Sequence, residues 1–326
     1  MPSRASRNGK APRPKAGVVG LGLMGTSIAA CLLATGHQVI GIDRDPKKRR
    51  ASGRHLLALL REMKRERLLS GEPAAIARRF AAFEDFAELR DCGVVIEAVF
   101  ENLELKRQVI AQVEAVVTPK CLIGSNTSAL PVTQLQQGAR HPERILGIHW
   151  AEPAHITRFM EVICGDRTSP DAAQRVMRLA RGWGKEPTLV RRDVRGFITN
   201  RIMYAMLREA FYLVENGYAT PADVDRSVRN DYGYWMTLAG PFRFMDLTGI
   251  PAYAAVMRDL WPDLSCATEV PALMKKVVDS GAVGIGNAKG FYKYTEADAR
   301  RWEKRFLKFT YDIRALARKY PDPASE

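Results

Sequence analysis

The feature that most constrains the fold of this chain is a glycine-rich motif near its N-terminus, Gly20-Leu21-Gly22-Leu23-Met24-Gly25. A short apolar run at 16–20 leads into the motif, and a helical pattern of apolar residues follows it as far as Gly36. An acid, Asp43, ends a second apolar run 23 residues after Gly20. A G-x-G-x-x-G motif between a strand and a helix, with an acid about 20 residues further on, indicates a dinucleotide-binding βαβ unit.

Each position of the motif has a physical role in such a unit. Gly20 permits the tight turn, Gly22 lets the backbone approach a pyrophosphate, and Gly25 lets the helix pack closely on the strand. The first-turn N–H groups at Leu23 and Met24 would then face the pyrophosphate, helped by the helix dipole. The alternative is a doubly wound domain whose glycine turn binds nothing.

Asp43 predicts which dinucleotide binds. Its carboxylate can accept hydrogen bonds from both ribose hydroxyls and would repel a 2′-phosphate. We therefore expect NAD rather than NADP as the cofactor, with the reservation that the adjacent Arg44 offers a cation that such a phosphate could bind.

The order of apolar patterns predicts two domains. Runs typical of buried strands lie at 16–20, 38–42, 93–99, 121–124 and 145–148 and alternate with helical patterns. This alternation predicts an α/β, doubly wound sheet of the Rossmann type over residues 16–192. Beyond 193 helical patterns dominate, which predicts an all-α C-terminal domain over 193–326. The basic, acid-free residues 1–15 predict a disordered tail, and 191–195 a hinge.

Positive charge is concentrated in two short segments. The formal net charge is +14, and the tail together with residues 44–69 has a net charge of +12. A high pI raises the possibility of nucleic-acid binding, but no motif of that class is present. The segment at 44–69 is either a solvated basic helix face or a local site for an anionic ligand.

Cysteine usage and hydropathy predict the compartment. Five cysteines occur singly, without a C-x-x-C pair, so neither a disulfide framework nor a metal site is expected. A reducing, cytoplasmic location is therefore the prediction. No apolar run approaches the ~20 residues that cross a bilayer, and the first 15 residues lack the apolar core of a signal peptide. A mitochondrial presequence is the weaker alternative for this Arg- and Ser-containing stretch.

A histidine and an acid predict the catalytic pair. His149 ends an apolar strand, where open α/β sheets place their active sites. Glu161 lies twelve residues later within the apolar stretch 159–163 and needs a polar partner. A histidine–carboxylate pair is a competent general base, because the acid fixes the tautomer and stabilises the imidazolium. The alternative is a satisfied core histidine and an acid that reaches the surface.

A second polar cluster, residues 125–128 (Ser-Asn-Thr-Ser), directly follows the predicted strand at 121–124. Hydroxyl and amide groups at a strand end can hold a cofactor or a substrate oxygen. Ser and Asn are also common in plain turns, so both interpretations stay open from the residues alone.

These motifs together resemble the short-chain L-3-hydroxyacyl-CoA dehydrogenase family. The similarity covers nearly the whole chain from about residue 15. It rests on GLGLMG at 20–25, EAVFENLELK at 97–106, SNTSALP at 125–131, the spaced pair His149 and Glu161, GFITNRI at 196–202, GPF at 240–242 and KGFYKY at 289–294.

The resemblance implies roles for individual residues. His149 would take the proton of the 3-hydroxyl group while hydride moves to NAD, and Glu161 would orient His149. Ser128 and Asn200 would bind the substrate oxygen. Three further residues match family positions near the cofactor: Glu101, Lys106 and Asn126. The helical domain would form a homodimer interface, and the cations of 44–69 would meet the phosphates of an acyl-CoA from fatty acid metabolism.

One segment departs from the family pattern. The family has H-F-F-N-P where this chain has His149-Trp150-Ala151-Glu152-Pro153, so a carboxylate replaces an amide. Arg158 could neutralise Glu152 or meet a substrate carboxylate, and Glu152 is a candidate determinant of substrate preference. The alternative function is therefore a dehydrogenase of a free hydroxy acid, similar to relatives that oxidise carnitine or sugar acids without CoA. A third is a non-catalytic, crystallin-like protein.

Overall fold

The computed structural model describes residues 13–321, and the chain divides into two compact units between Ile198 and Thr199. Residues 1–12 of the predicted tail lie outside the described part. The first unit extends past residue 192 because Phe197 is buried in a small apolar cluster with Ile163 and Val190.

Within the described residues, the first unit consists of eight strands and six α-helices. The strands are β1 (Lys15–Val19), β2 (Val39–Ile42), β3 (Phe80–Phe83), β4 (Cys92–Glu97), β5 (Leu122–Ser125), β6 (Ile145–Trp150), β7 (Phe159–Ile163) and β8 (Glu186–Val190). The helices are α1 (Leu23–Ala34), α2 (Pro46–Arg65), α3 (Pro73–Ala77), α4 (Leu103–Val116), α5 (Val132–Leu135) and α6 (Pro170–Gly182).

All eight strands form one sheet in the order β3-β2-β1-β4-β5-β6-β7-β8. Neighbouring strands are parallel except for β6 and β7, which are antiparallel. The chain moves outward from β1 to β3 and then resumes on the other side of β1 with β4, so a crevice opens at the carboxyl ends of β1 and β4. The predicted doubly wound α/β fold is confirmed.

Two helices show how residue pattern decides burial. Helix α1 is apolar on nearly every side, and nine of its twelve residues are buried against the sheet. Helix α2 is amphipathic, with Ser52, Leu56, Leu60 and Met63 buried at helical spacing and most of its cations exposed. The basic segment therefore lies on the outside of a packed helix.

The second unit is helical, as predicted. Its described α-helices are α7 (Thr199–Glu215), α8 (Pro221–Asn230), α9 (Tyr232–Trp235), α10 (Pro241–Thr248), α11 (Ile250–Leu260), α12 (Ala272–Asp279) and α13 (Glu296–Ala317). Capping boxes begin α8 at Thr220 and α13 at Thr295. None of the helices in residues 13–321 combines the length and apolar character needed to span a membrane.

Two glycines of the motif give the first prediction because their surroundings differ. A Cβ on Gly25 would lie 1.8 Å from the carbonyl oxygen of Gly20, whereas a Cβ on Gly22 would meet nothing within 4 Å. Gly25→Ala should therefore destabilise the protein by at least about 2 kcal/mol, since backbone must move. Gly22→Ala should change stability by less than about 1 kcal/mol, because its φ of −74° suits alanine.

Thermal unfolding of the two variants beside the wild type measures this difference. Equal melting temperatures for Gly25→Ala and Gly22→Ala would contradict the close contact between α1 and the loop. Gly22→Ala should instead weaken the binding of NAD, because its methyl group would occupy the space that the pyrophosphate needs.

Candidate active site

The ladder between β6 and β7 brings His149 and Glu161 together. The two residues are direct partners in the antiparallel register, so their side chains lie on the same face of the sheet. His149 Nδ1 lies 2.9 Å from Glu161 Oε2, and both residues are buried. The second carboxylate oxygen, Oε1, accepts a hydrogen bond from the backbone N–H of Ile198 (3.1 Å). Both oxygens of Glu161 are therefore engaged.

The imidazole of His149 is held between two aromatic rings. Phe159 packs edge-on at a centroid distance of 5.4 Å, and Phe197 packs at 5.7 Å. Phe197 has a φ of +51°, which a bulky side chain rarely adopts. Burial of its ring offsets that conformational cost, and the turn directs the N–H of Ile198 to Glu161.

This packing assigns the two nitrogens of His149. Because a carboxylate only accepts, Nδ1 carries the hydrogen that it donates to Glu161. Nε2 then carries the lone pair, and it has no hydrogen-bond partner within residues 13–321. The arrangement is that of a general base whose tautomer is fixed by its acid partner.

Glu101 organises the loop at 125–128 that follows β5. Its Oε1 accepts hydrogen bonds from the Thr127 hydroxyl (2.6 Å) and from the backbone N–H groups of Ser128 (3.0 Å) and Ala129 (3.1 Å). Burial opposes ionisation of Glu101, but these hydrogen bonds and the nearby Lys106 ammonium lower its pKa overall. The side chain of Ser128 stays exposed at the tip of the loop.

A buried ionic network lies beneath this loop. Lys106 Nζ contacts both oxygens of Glu97 at 2.8 and 3.1 Å, and both side chains are almost fully buried. The Ser125 hydroxyl donates to the same carboxylate at 2.5 Å, and Glu101 lies 3.4 Å from the ammonium group. Lys106, predicted from the resemblance to lie near the cofactor, thus joins α4 to the ends of β4 and β5.

Asn126 connects the loop to the strand that carries His149. Its side-chain oxygen accepts a hydrogen bond from the backbone N–H of Trp150 at 2.9 Å. The polar loop and the histidine are therefore neighbours at one edge of the sheet. Asn200 lies in the first turn of α7, in the second unit.

The glycine-rich loop is shaped to receive a dinucleotide. Gly20 has a φ of +96°, and Gly22, which precedes helix α1, offers no side chain to cap it. Its first-turn N–H groups are therefore open to a phosphate. Asp43 ends β2 and accepts from the backbone N–H groups of Leu21 and Asp45, each at 2.9 Å. These hydrogen bonds fix the loop. Asp43 is 9% exposed, so a small part of its surface remains accessible.

A further set of polar contacts, not predicted from the sequence, holds the connection between β6 and β7. His155 Nδ1 lies 2.9 Å from the hydroxyl of Ser27 in α1, and its Nε2 lies 3.4 Å from Glu62 in α2. The buried ammonium group of Lys185 donates to the carbonyl oxygen of Ala154 (2.5 Å) and packs over the ring of Trp150. These partners are far apart along the chain, so no local sequence motif predicts their contacts.

The connection carries two unusual charges, those of Arg158 and Glu152. Arg158 pairs with Glu186 of β8 at 2.7 Å, so within the described residues its ion-pair partner is Glu186 and not Glu152. Its role towards a substrate carboxylate stays a prediction. Desolvation raises the pKa of Glu152, although His155, the hydrogen bonds from Ala154 N–H and Ser27, and Lys185 favour its charged form.

The family comparison covers both units. Residues 15–194 match the NAD-binding domain of 3-hydroxyacyl-CoA dehydrogenase, and residues 196–294 match the C-terminal domain of the same family. NAD is therefore the cofactor, in agreement with Asp43 and the glycine-rich loop.

Individual relatives fall into two substrate classes. The chain is 33% identical over 279 residues to 5-formyl-3-hydroxy-2-methylpyridine 4-carboxylate 5-dehydrogenase of Mesorhizobium japonicum, covering 85% of this chain and 90% of that protein. It is 31% identical over 281 residues to a probable 3-hydroxybutyryl-CoA dehydrogenase of Deinococcus radiodurans, covering 86% and 100%.

A solved structure resembles the chain over nearly its full length. It is that of 5-formyl-3-hydroxy-2-methylpyridine 4-carboxylic acid 5-dehydrogenase, an NAD+-dependent dismutase, with a TM-score of 0.87 and 29% identity. The match covers 94% of this chain and 99% of the other. The chain belongs to the 3-hydroxyacyl-CoA dehydrogenase family of NAD-dependent oxidoreductases.

Proposed function

We propose that this protein oxidises a hydroxyl-bearing carbon, with His149 as the base. The observation that carries the proposal is the buried contact of 2.9 Å between His149 Nδ1 and Glu161, which leaves Nε2 as the proton acceptor. NAD, when bound, accepts the hydride from the carbon. The hydroxyl proton goes to His149, and the carbinol becomes a carbonyl group.

The remaining site residues act on the substrate oxygen. Ser128 stands exposed at the loop that Glu101 fixes, so its hydroxyl can donate to an oxygen that gains negative charge. Asn200 is proposed to supply a second donor, on the strength of the family resemblance. Glu161 keeps its charge opposite the imidazolium that forms, which makes proton transfer easier.

The first candidate substrate is a 3-hydroxyacyl-CoA. Cations on the outer face of α2 are exposed, among them Arg54 and Arg61, and two more, Arg65 and Arg67, lie at its end. CoA phosphates would gain charge-assisted contacts with such a surface. A place in fatty acid metabolism would follow from that substrate.

The second candidate is a small carboxylated alcohol or hydrated aldehyde without CoA. It is favoured by the likeness to the pyridine carboxylate dehydrogenase, which extends over 94% of this chain. In this alternative the cations of α2 are a solvated face. A retained fold without catalysis is the third alternative, which binding of NAD without turnover of either class would reveal.

We also propose a homodimer formed by the second unit. Among its described residues, large apolar side chains are widely exposed, including Phe242 (79%) and Leu247 (67%) on α10 and Val283 (77%). Exposed apolar surface of this extent marks an interaction site.

We further propose a reducing, cytoplasmic compartment. All five cysteines are free thiols, which supports this proposal.

The base gives the second prediction. His149→Gln should lower kcat by ~10²–10⁴-fold while the Kd for NAD changes little, because a positioned proton acceptor is lost. Glu161→Gln should also slow turnover, since the imidazolium loses its counter-charge. The matched control is His141→Gln, a half-buried histidine of the same unit that contacts Glu143. Turnover at the wild-type rate in His149→Gln would remove the pair from the mechanism.

The substrate class gives the third prediction. If CoA phosphates bind α2, the Michaelis constant for 3-hydroxybutyryl-CoA should rise steeply with salt, and that for NAD should rise less. The double variant Arg65→Gln/Arg67→Gln should raise the same constant at low salt. Arg178→Gln/Arg181→Gln, on the exposed face of α6, is the matched control.

A substrate panel decides between the two classes. Faster turnover of 5-formyl-3-hydroxy-2-methylpyridine 4-carboxylate or of another free acid than of the CoA ester would support the second candidate. Equal salt dependence of both Michaelis constants would show that α2 is only a solvated face.

The dimer gives the fourth prediction. Sedimentation should give about twice the chain mass of 36.4 kDa, and Phe242→Asp should shift the protein towards the monomer. Phe100→Asp, which changes an equally exposed ring in the first unit, should leave the mass unchanged. A wild-type protein that sediments as a monomer at micromolar concentration would refute the dimer.

A further inference from the structure

His37 is a buried histidine outside the proposed active site, and each of its two ring nitrogens has a hydrogen-bond partner. It lies three residues beyond α1 and two before β2, and it is fully buried. Nδ1 is 2.7 Å from the carbonyl oxygen of Pro14, and Nε2 is 2.9 Å from the indole nitrogen of Trp183. The imidazole therefore joins the chain that enters β1 to the residue that follows α6.

The chemistry of these two partners fixes the protonation state of His37. A carbonyl oxygen only accepts a hydrogen bond, so Nδ1 carries a hydrogen. An indole N–H only donates, so Nε2 carries a lone pair. The hydrogen-bond pattern is thus that of a neutral imidazole. A second proton on Nε2 would place two N–H donors against each other, and the bond from Trp183 would be lost.

The surroundings of His37 also oppose a positive charge on its ring. Burial lowers its pKa, and the hydrogen bond with Pro14 acts in the opposite direction. Two cations lower the pKa further: Arg13, which precedes β1, and Arg79, which precedes β3. Each guanidinium group is itself held by a backbone carbonyl oxygen, at 2.9 and 2.7 Å respectively.

Trp183 extends this contact to the strand that carries the proposed base. Its ring stacks on that of Trp150 in β6, with a centroid distance of 5.4 Å and an interplanar angle of 23°. Both tryptophans are buried, and Trp150 directly follows His149. The ammonium group of Lys185 lies 4.7 Å from the centre of the Trp150 ring. The hydrogen bond to His37 thus holds one ring of a buried stack against β6.

We propose that His37 is an acid-sensitive latch of the first unit. While neutral, it holds Pro14 and Trp183 together. Once protonated, it loses the bond from Trp183, and the stack of Trp183 on Trp150 loosens. The latch uses neither substrate nor NAD, so it is independent of the proposed function and adds to it a response of the first unit to pH.

The direction of the pH effect follows from the folded and unfolded states. In the unfolded chain His37 has the ordinary histidine pKa of about 6.5. Because the pKa is lowered in the folded protein, the unfolded chain binds more protons below that pH. The latch therefore contributes its full stability above pH 6.5 and loses it as the pH falls. The unfolding constant should rise by up to about tenfold for each pH unit.

Urea unfolding of the full-length protein at pH 7.5 and pH 5.5, followed by near-ultraviolet circular dichroism, measures this contribution. His37→Gln keeps a hydrogen-bonding side chain that does not titrate. The rise in the unfolding constant between the two pH values should therefore be smaller in this variant than in the wild type, by up to about tenfold. The matched control is His55→Gln, an exposed histidine of α2, which should keep the wild-type rise.

A second variant tests the latch from the side of its partner. Trp183→Phe keeps an aromatic ring that can stack on Trp150 but removes the N–H that opposes a proton on Nε2 of His37. The pH-dependent rise should again be smaller than in the wild type, and this variant decides the matter if His37→Gln does not fold. A substitution that only loosens packing would lower stability equally at both pH values.

Two outcomes would overturn the proposal. The first is a wild-type rise in the unfolding constant in either variant, whatever its stability at pH 7.5. The second is a rise in His55→Gln that is reduced as much as in His37→Gln, because the effect would then not be specific to the buried imidazole.

Discussion

The reversal of chain direction between β6 and β7 is the constraint on which the active site depends. Strands β1 to β6 are parallel, so their carboxyl ends meet at the edge where the glycine-rich loop lies. Because β7 runs back, its early residues come level with the last residues of β6, and Glu161 pairs with His149 in the ladder. Backbone hydrogen bonds therefore set the distance between the proposed base and its acid partner, and the side chains need only adopt suitable rotamers.

A buried cation supports the other half of the site. Lys106 is 1% exposed and balances Glu97, while Glu101 takes part from a less buried position. Losing the ammonium group would leave a carboxylate without a counter-charge in the interior, which is costly. Glu101 in turn holds the loop of Ser128 by three hydrogen bonds. The loop that presents the predicted oxygen-binding hydroxyl is thus anchored through an ionic network in the core.

Local signals sufficed for the parts of the site that lie within one motif or one strand pair. The glycine-rich turn and Asp43 follow from residue order. The pairing of His149 with Glu161 was one of two interpretations of the sequence, and the ladder between β6 and β7 brings the two side chains together. Strands β3, β7 and β8 were not predicted. Strand β3 is a half-buried four-residue strand, and β8 alternates exposed and half-buried positions. Strand β7 was recognised only as an apolar stretch around Glu161. The contact of His155 with Ser27 joins residues 128 positions apart and depends on the packing of α1. The partner of Arg158 was missed for the same reason, because Glu186 becomes its neighbour only once β8 joins β7.

The connection between β6 and β7 is held by contacts other than those of the ladder that pairs His149 with Glu161. The pairing of His149 with Glu161 is fixed by the ladder between β6 and β7, whose last pair is Trp150 and Met160. Two residues between the strands have contacts outside the ladder. His155 contacts Ser27 of α1, and the carbonyl oxygen of Ala154 accepts a hydrogen bond from Lys185, just before β8. A substitution within this connection can therefore leave the ladder pairing of His149 with Glu161 in place.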